Sequence, residues 1–490
     1  MARSLTSRSA EIRARLSHPV IDADGHHLEL FPLIHDYVDR IGGSRMTERF
    51  RTTFDGMGAA SPWSRLTPKE RRETLSVIPP WWGYPTKNSL DRVTASIPRL
   101  LYERLDELGI DFSVVYPTRS VWVERIPDEE LRRVACRATN TYLSELYAPY
   151  ADRLCTAAMI PMYTPQEAID ELQYVAGTLG VKVISFGHVR RPVARGTELS
   201  PSAFGQNYRL DNFGIDSDYD YDPVWAKCVE LKMVVTSHSA EQGVGSRTSS
   251  TNWMFNHLGN FAASHSALLK SLFLGGVTRR FPTLNFGFME VGVHWACGLY
   301  ADMVTRWEKR NGRAIQDLNP ENLDQALINR LIDEYGDDRM RAKREELREF
   351  YRVWGSSQVP RPEVLDDWAA CQVETVEELR DLFVPRFYFG CEADDPLNSW
   401  AFKENVNPHG ARLRPLLSSD IGHWDVPDVR EVLVEAYEQV ERGLMTGQDF
   451  RDFVFTNPVR FFTDANPDFF KGTRCEIAAM EWLRGRPASR

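Results

Sequence analysis

The chain predicts an α/β protein folded as a (β/α)8 TIM barrel with helical insertions, and three observations carry that expectation. Eight short β-rich runs recur between longer helical patterns, the alternation expected of a parallel sheet wrapped by helices. Acidic and histidine residues stand just after most of those runs, where a barrel presents its functional groups. The length of 490 residues suits one barrel enlarged by insertions as well as it suits two domains, and the repeat favours the barrel.

In chain order the strands are expected at Pro19–Asp24, Asp111–Pro117, Leu154–Ile160, Val181–Phe186, Met233–Ser237, Leu284–Met289, Phe387–Gly390 and Pro415–Ser418. Apolar residues at three- and four-residue spacing predict helices over Asp128–Tyr147, Pro165–Leu179, Trp253–Arg279, His294–Arg310 and Asp428–Arg442. Residues 30–97, rich in Trp and Pro, and residues 315–380, strongly charged and helical, exceed the minimal repeat and read as insertions into a single domain spanning 1–490.

Composition narrows the function classes. A formal net charge of −10 leaves no excess of Lys and Arg to displace counterions from phosphates, so no nucleic-acid partner is expected. Hydrophobic residues make up 42% of the chain, enough for a large core, yet no run reaches membrane-spanning length and no membrane association is expected. The seven cysteines are scattered without a CxxC pair, which predicts reduced thiols in the cytoplasm.

The strand ends supply metal-ligand chemistry. Asp24 and His26 lie two apart in DADGHHLE and face one side of an extended chain. Further along, the strands run into His188, His238, Glu290, Glu392 and Asp420, with His423 following the last. Converging carboxylates repel one another and take up protons unless a divalent cation holds them, so the clustering predicts a metal. A set this rich in carboxylates suits iron or manganese better than zinc. His27 faces away from His26 and is assigned a packing role. His257, in NWMFNHLGN, is a candidate acid, base or substrate contact, and His294 a further candidate ligand. Arg190, Arg191 and Arg195 follow His188, and their guanidinium forks suit an anionic substrate such as a coenzyme A thioester. Trp253, Phe255, Trp295 and Trp424 are candidates for an apolar pocket near the rim.

The segments VIDADGH (Val20–His26), SHSAEQ around His238, GGVTRRFPTLNFGFMEVG (Gly275–Gly292) and LSSDIGHWD (Leu417–Asp425) occur in this order. Together they resemble the metal-dependent amidohydrolase superfamily, in particular the branch containing aminocarboxymuconate-semialdehyde decarboxylase. The resemblance implies metal ligation by Asp24, His26, His238 and Asp420, with Glu290 where many members carry histidine. The stretch SFGHVRR (Ser185–Arg191) offers no lysine where binuclear hydrolases of the superfamily bridge their metals.

The segments DADGHHLE, FGHVRRP, HSAEQG, FYFGCEADDP and SSDIGHWDVPD are also similar to those of the nonheme diiron monooxygenases of platensimycin and platencin biosynthesis. That likeness implies two iron ions, with zinc or manganese as alternatives, and dioxygen as co-substrate. It further implies hydroxylation of an unactivated carbon on a diterpenoid acyl-CoA in antibiotic biosynthesis. No dinucleotide-binding glycine fingerprint follows a strand, so an external electron donor or reductase is expected. The same ligands equally serve a metal-dependent hydrolase or decarboxylase. Barrels of this branch often pair, which implies a homo-oligomer.

Overall fold

The computed structural model describes residues 7–55, 65–74, 76, 87–192, 208–238, 249–354 and 366–485. Within them, eight parallel strands line up in one sheet: β1 (Ile21–His27), β2 (Phe112–Pro117), β3 (Leu154–Met159), β4 (Val183–Phe186), β7 (Val234–Ser237), β8 (Phe286–Phe288), β9 (Phe387–Glu392) and β10 (Arg414–Ser418). Two further strands, β5 (Val189–Pro192) and β6 (Tyr208–Asp211), form a separate antiparallel pair beyond β4. Every expected strand is present, and the sequential parallel order is that of a (β/α)8 barrel.

Apolar and β-branched residues dominate most of these strands, whereas β1, IDADGHH, is mostly polar and is buried by its neighbours. Phe112–Pro117 is buried along its whole length, as a strand covered on both sides requires, and each fully buried Val or Phe contributes about 1.5–3 kcal/mol. Helices such as Glu129–Tyr147, capped by the Asp128 side chain, and Pro165–Gly177, capped by Thr164, return the chain to the next strand. The apolar faces of these helices complete one continuous core. In the two expected insertions, Phe31–Gly42 and Ser44–Asp55 are helices packed against Glu129–Tyr147, and Gln325–Tyr335 and Arg344–Trp354 pack on each other. Residues 56–64, 75, 77–86 and 355–365 of those insertions lie outside the described set.

The barrel closes between β10 and β1 through side chains in place of a paired ladder. The buried Asp22 carboxylate accepts hydrogen bonds from Ser113 Oγ (2.6 Å), Ser419 N (2.9 Å), Ser419 Oγ (2.8 Å) and Asp24 N (3.2 Å). Asp420 N donates to Asp24 O at 3.0 Å across the same seam. The β1–β2 register shifts between Asp22 and Gly25, an irregularity that glycine tolerates. A Cβ at residue 25 would sit 2.8 Å from both Asp22 Oδ2 and Ser113 Oγ. The strand therefore continues through His27, three residues past the expected end, and holds Asp24 and His26 within its ladder.

Candidate metal centre

Six side chains meet at the C-terminal mouth. Asp24 and His26 come from β1, His238 directly follows β7, and Glu290 lies two residues past β8. Asp420 and His423 come from the turn after β10. Their ligand atoms form two overlapping groups, Asp24–His26–His238 and His26–Glu290–Asp420–His423, in each of which the atoms lie within 4.8 Å of one another. All six residues are buried.

The spacing is that of a coordination shell. His26 Nε2 stands 3.2 Å from His238 Nε2, 3.2 Å from Asp420 Oδ1 and 3.5 Å from Asp24 Oδ1. His238 Nε2 stands 3.3 Å from Glu290 Oε2 and 3.7 Å from Asp24 Oδ1. Donors held about 2.1 Å from one cation are separated by about 3.0 Å in an octahedron and about 3.4 Å in a tetrahedron. Asp24 Oδ1 and Glu290 Oε2 are buried and meet no donor in hydrogen-bonding geometry, and among the described residues no Lys or Arg pairs with Asp24, Glu290 or Asp420. Two imidazole Nε2 atoms face each other beside those carboxylates. The residues present thus fit a divalent cation, which would satisfy all of these atoms at once.

Electrostatics point the same way. Burial raises the Asp24, Glu290 and Asp420 carboxyls well above the usual range. Charge then adds to it, from Asp22 on Asp24, from Asp425 on Glu290, and from Glu290 on Asp420. Burial likewise lowers the imidazoles, His26 and His423 far below the usual value and His238 to about 3. Neutral imidazole is the form that ligates. Backbone shape adds a further mark. Glu290 (φ 56°) and Asp420 (φ 46°) both occupy the left-handed region, rare for residues with a side chain and concentrated at functional sites.

Surrounding groups hold the ligands in place. Asp22 stitches Asp24 to Ser419, the residue before Asp420. Thr118 Oγ1 meets His423 Nε2 at 3.1 Å, leaving Nδ1 beside Asp420 Oδ1 at 2.6 Å. Such outer contacts fix tautomer and ring orientation. Asp425 lies close enough for its charge to raise Asp420, and Glu392, at the end of β9, is pushed up to about 8 by burial, then by Asp425, Asp394 and Asp395.

The remaining sequence candidates are distributed around this cluster. His257, half-buried on the short helix Trp253–His257, stacks edge-on with Trp253 and Trp424 at 5.6 Å each, and burial lowers its pKa. His188 stands outside both ligand groups. It is buried, and burial takes it to about 4. Glu392 also stands outside the two groups, although its charge reaches them. His294 lies at the start of its helix, 3.5 Å from Asp395. His27 has the packing role its direction predicts, held between the hydroxyls of Tyr147 (3.0 Å) and Tyr142 (2.8 Å).

Arg191 departs from its expected substrate contact. Its side chain is buried on β5 and donates to Asp211 Oδ2 (2.9 Å) and the Tyr221 hydroxyl (2.9 Å), so the guanidinium is committed inside the protein. Alternation along the strand leaves Arg190 exposed. Arg195 and residues 239–248, which include most of the SHSAEQ segment, lie outside the described residues. His423, absent from the expected ligand set, and the positioning carboxylate Asp22 are the two residues that the sequence pattern left unassigned. Their only sequence signals are the i, i+3 spacing from Asp420 and the i, i−2 spacing from Asp24.

All seven cysteines are free, and among the described residues no helix is long and apolar enough to cross a membrane. No curated protein matches the chain in sequence. Among solved structures, a 2,6-dihydroxybenzoate decarboxylase from Rhizobium aligns at 14% identity, covering 91% of this chain and 99% of its own, with a TM-score of 0.45. A 5-carboxyvanillate decarboxylase from Novosphingobium aromaticivorans, complexed with manganese, aligns at 16% identity over 94% of this chain and 99% of its own, with a TM-score of 0.47. A dihydroxybenzoic acid decarboxylase from Polaromonas with bound manganese aligns at 14% identity over 91% and 97%, with a TM-score of 0.46. A family model described as amidohydrolase matches residues 110–340, the stretch that carries β2 through β8 together with His238 and Glu290. Over that stretch the chain is similar to the amidohydrolases.

Proposed function

We propose that the protein is a divalent-metal-dependent hydrolase or decarboxylase of the amidohydrolase kind, acting on a small carboxylate, ester or amide. The observation that carries this reading is the buried cluster of Asp24, His26, His238, Glu290, Asp420 and His423, spaced for coordination and uncompensated by any Lys or Arg ion pair among the described residues. A bound divalent ion supplies Lewis acidity toward a substrate oxygen or a water. Asp22, Ser419 and Thr118 hold the ligand atoms in register. His257, neutral near pH 7, has one basic ring nitrogen able to take a proton from substrate or water. Trp253, Trp424 and Phe261, packed around His257, exclude water and strengthen the electrostatics beneath them.

A second reading is supported by a separate observation. Five carboxyl groups, Asp24, Glu290, Glu392, Asp420 and Asp425, influence one another at the mouth, against three imidazoles in the two ligand groups that share His26. That excess suits a pair of iron ions and dioxygen chemistry. The enzyme would then be the diiron monooxygenase of a diterpenoid acyl-CoA, supplied by an external electron donor. Arg191, already paired with Asp211, lends that substrate no support.

Turnover of a panel of carboxylic acids, esters and amides by metal-loaded protein under nitrogen separates the two. Product formation without oxygen supports the hydrolase or decarboxylase. Turnover that requires oxygen, with label from 18O2 in the product, overturns it in favour of the oxygenase.

A further inference from the structure

At the N-terminal end of the barrel, opposite the metal centre, lies a cavity of about 1180 Å³. Thr283 before β8, Arg386 before β9 and Arg414 at the start of β10 border it. Its described lining holds five arginines and three aspartates, a positive excess in a chain of net charge −10. Arg380 is paired with Asp381, and Arg412 with Asp449 and Asp452.

Arg386 and Arg414 differ from those two. Arg386 Nη1 donates to the amide oxygen of Asn285 at 2.9 Å. Arg414 Nη1 donates to the Pro385 carbonyl at 3.2 Å and to the Tyr388 hydroxyl. These acceptors are neutral, and among the described residues neither guanidinium forms an ion pair with a carboxylate. The two are close enough that Arg414 acts with burial to lower the Arg386 pKa, and Asp464 is the one carboxylate whose charge offsets this. Each guanidinium carries five donors, of which the neutral acceptors use a minority. Like charges on one cavity wall, partly desolvated and offset by the charge of one carboxylate, leave donors for an anion to complete.

We propose that this cavity is a binding site for a phosphate group, carried by a small organic molecule or as the free ion. Two guanidinium forks bordering one cavity suit the tetrahedral oxygens of a dianion better than a single planar carboxylate. The volume leaves room for an organic body as well. The site is independent of the metal chemistry at the other end.

Isothermal titration of inorganic phosphate into the full-length metal-loaded protein, at an ionic strength held constant with chloride, tests the proposal. Saturable binding is expected, weakened by at least roughly tenfold in R386Q/R414Q, since both charge-assisted forks are lost. A parallel titration with glycerol phosphate distinguishes the sources, because tighter binding of the ester assigns the organic ligand and equal or weaker binding assigns the free ion. If the double variant does not fold, R414K decides, because it keeps the charge, loses the fork and should bind more weakly than the parent. No saturable binding, or phosphate binding that persists unchanged in the folded variant, as phosphate held at the metal centre would, overturns the proposal.

Discussion

The two ends of this barrel carry opposite charge problems. At the C-terminal mouth, carboxyls and imidazoles from β1, β7, β8 and β10 crowd into a buried space with no Lys or Arg ion pair to the Asp24, Glu290 or Asp420 carboxylates among the described residues. At the N-terminal end, Arg386 and Arg414 border a cavity with only neutral acceptors on their guanidiniums among the described residues. Packing of the strands and helices brings like charges together at both ends: at the buried mouth the cost is relieved by protonation or by a cation, and at the half-buried base an anion would relieve it. The mouth calls for a cation and the base for an anion. The contrast also shows how unlike the two devices are. The mouth uses short, stiff ligands on strand ends, two of them with left-handed backbone, whereas the base uses long side chains that adjust to their guest.

The contrast breaks most sharply at the ligands themselves. His238→Ala or Asp420→Ala should abolish stoichiometric metal binding, a loss larger than the roughly 10–100-fold that removal of an outer contact costs, measured by metal analysis after dialysis. Metal retained at the parent level in both variants would dissolve the distinction between the two ends. Next in size, Asp22→Asn should weaken metal binding by roughly 10–100-fold, because an amide turns a donor toward Ser113, Ser419 or Asp24 N in place of an acceptor. Competition with a fluorescent chelator reads this directly, and parent affinity in Asp22→Asn would reduce that residue to a seam of the fold.

A third expectation concerns pH. The folded pKa of Glu392, about 8, lies above its usual carboxyl value, and Glu290 and Asp420 are raised as well. Stability from a raised pKa is complete at low pH and is lost as pH climbs through the folded value. The depressed imidazoles act oppositely, but only below their ordinary value of 6.5. From pH 6.5 to about 8 the carboxyls therefore act alone, and metal-free protein should lose thermal stability over that interval while metal-loaded protein does not. A metal-free melting temperature that rises from pH 6.5 to 8 would contradict the charge balance assigned to the mouth. The smallest effect is expected at His188, which stands outside both ligand groups. His188→Gln should keep its full metal content, and loss of metal there would enlarge the site toward β4.

Much of this was legible in the sequence for physical reasons. A strand buried on both faces is written mostly in Val, Ile, Phe and Leu, so most of the runs stand out, although β1, IDADGHH, is buried throughout and polar, and a barrel fixes where each run delivers its last side chain. That rule names Asp24, His26, His238, Glu290 and Asp420, which the fold brings together, and equally His188 and Glu392, which stand outside both ligand groups. It does not name His423, because its return to the cluster depends on the left-handed turn at Asp420 and Gly422, which residue identity does not announce. Asp22 looked like one more strand residue, since nothing in the sequence shows that the barrel seam needs a carboxylate to bridge it. Arg191 looked like a substrate contact because its partners, Asp211 and Tyr221, lie across a hairpin that the sequence does not mark.

The most direct measurement is metal analysis of the purified protein by plasma mass spectrometry, beside its His238→Ala variant. The account predicts at least one equivalent of a divalent transition metal per chain in the parent, two if both ligand groups fill, and near-complete loss in the variant. A parent protein that binds no divalent metal even when loaded in excess would contradict it.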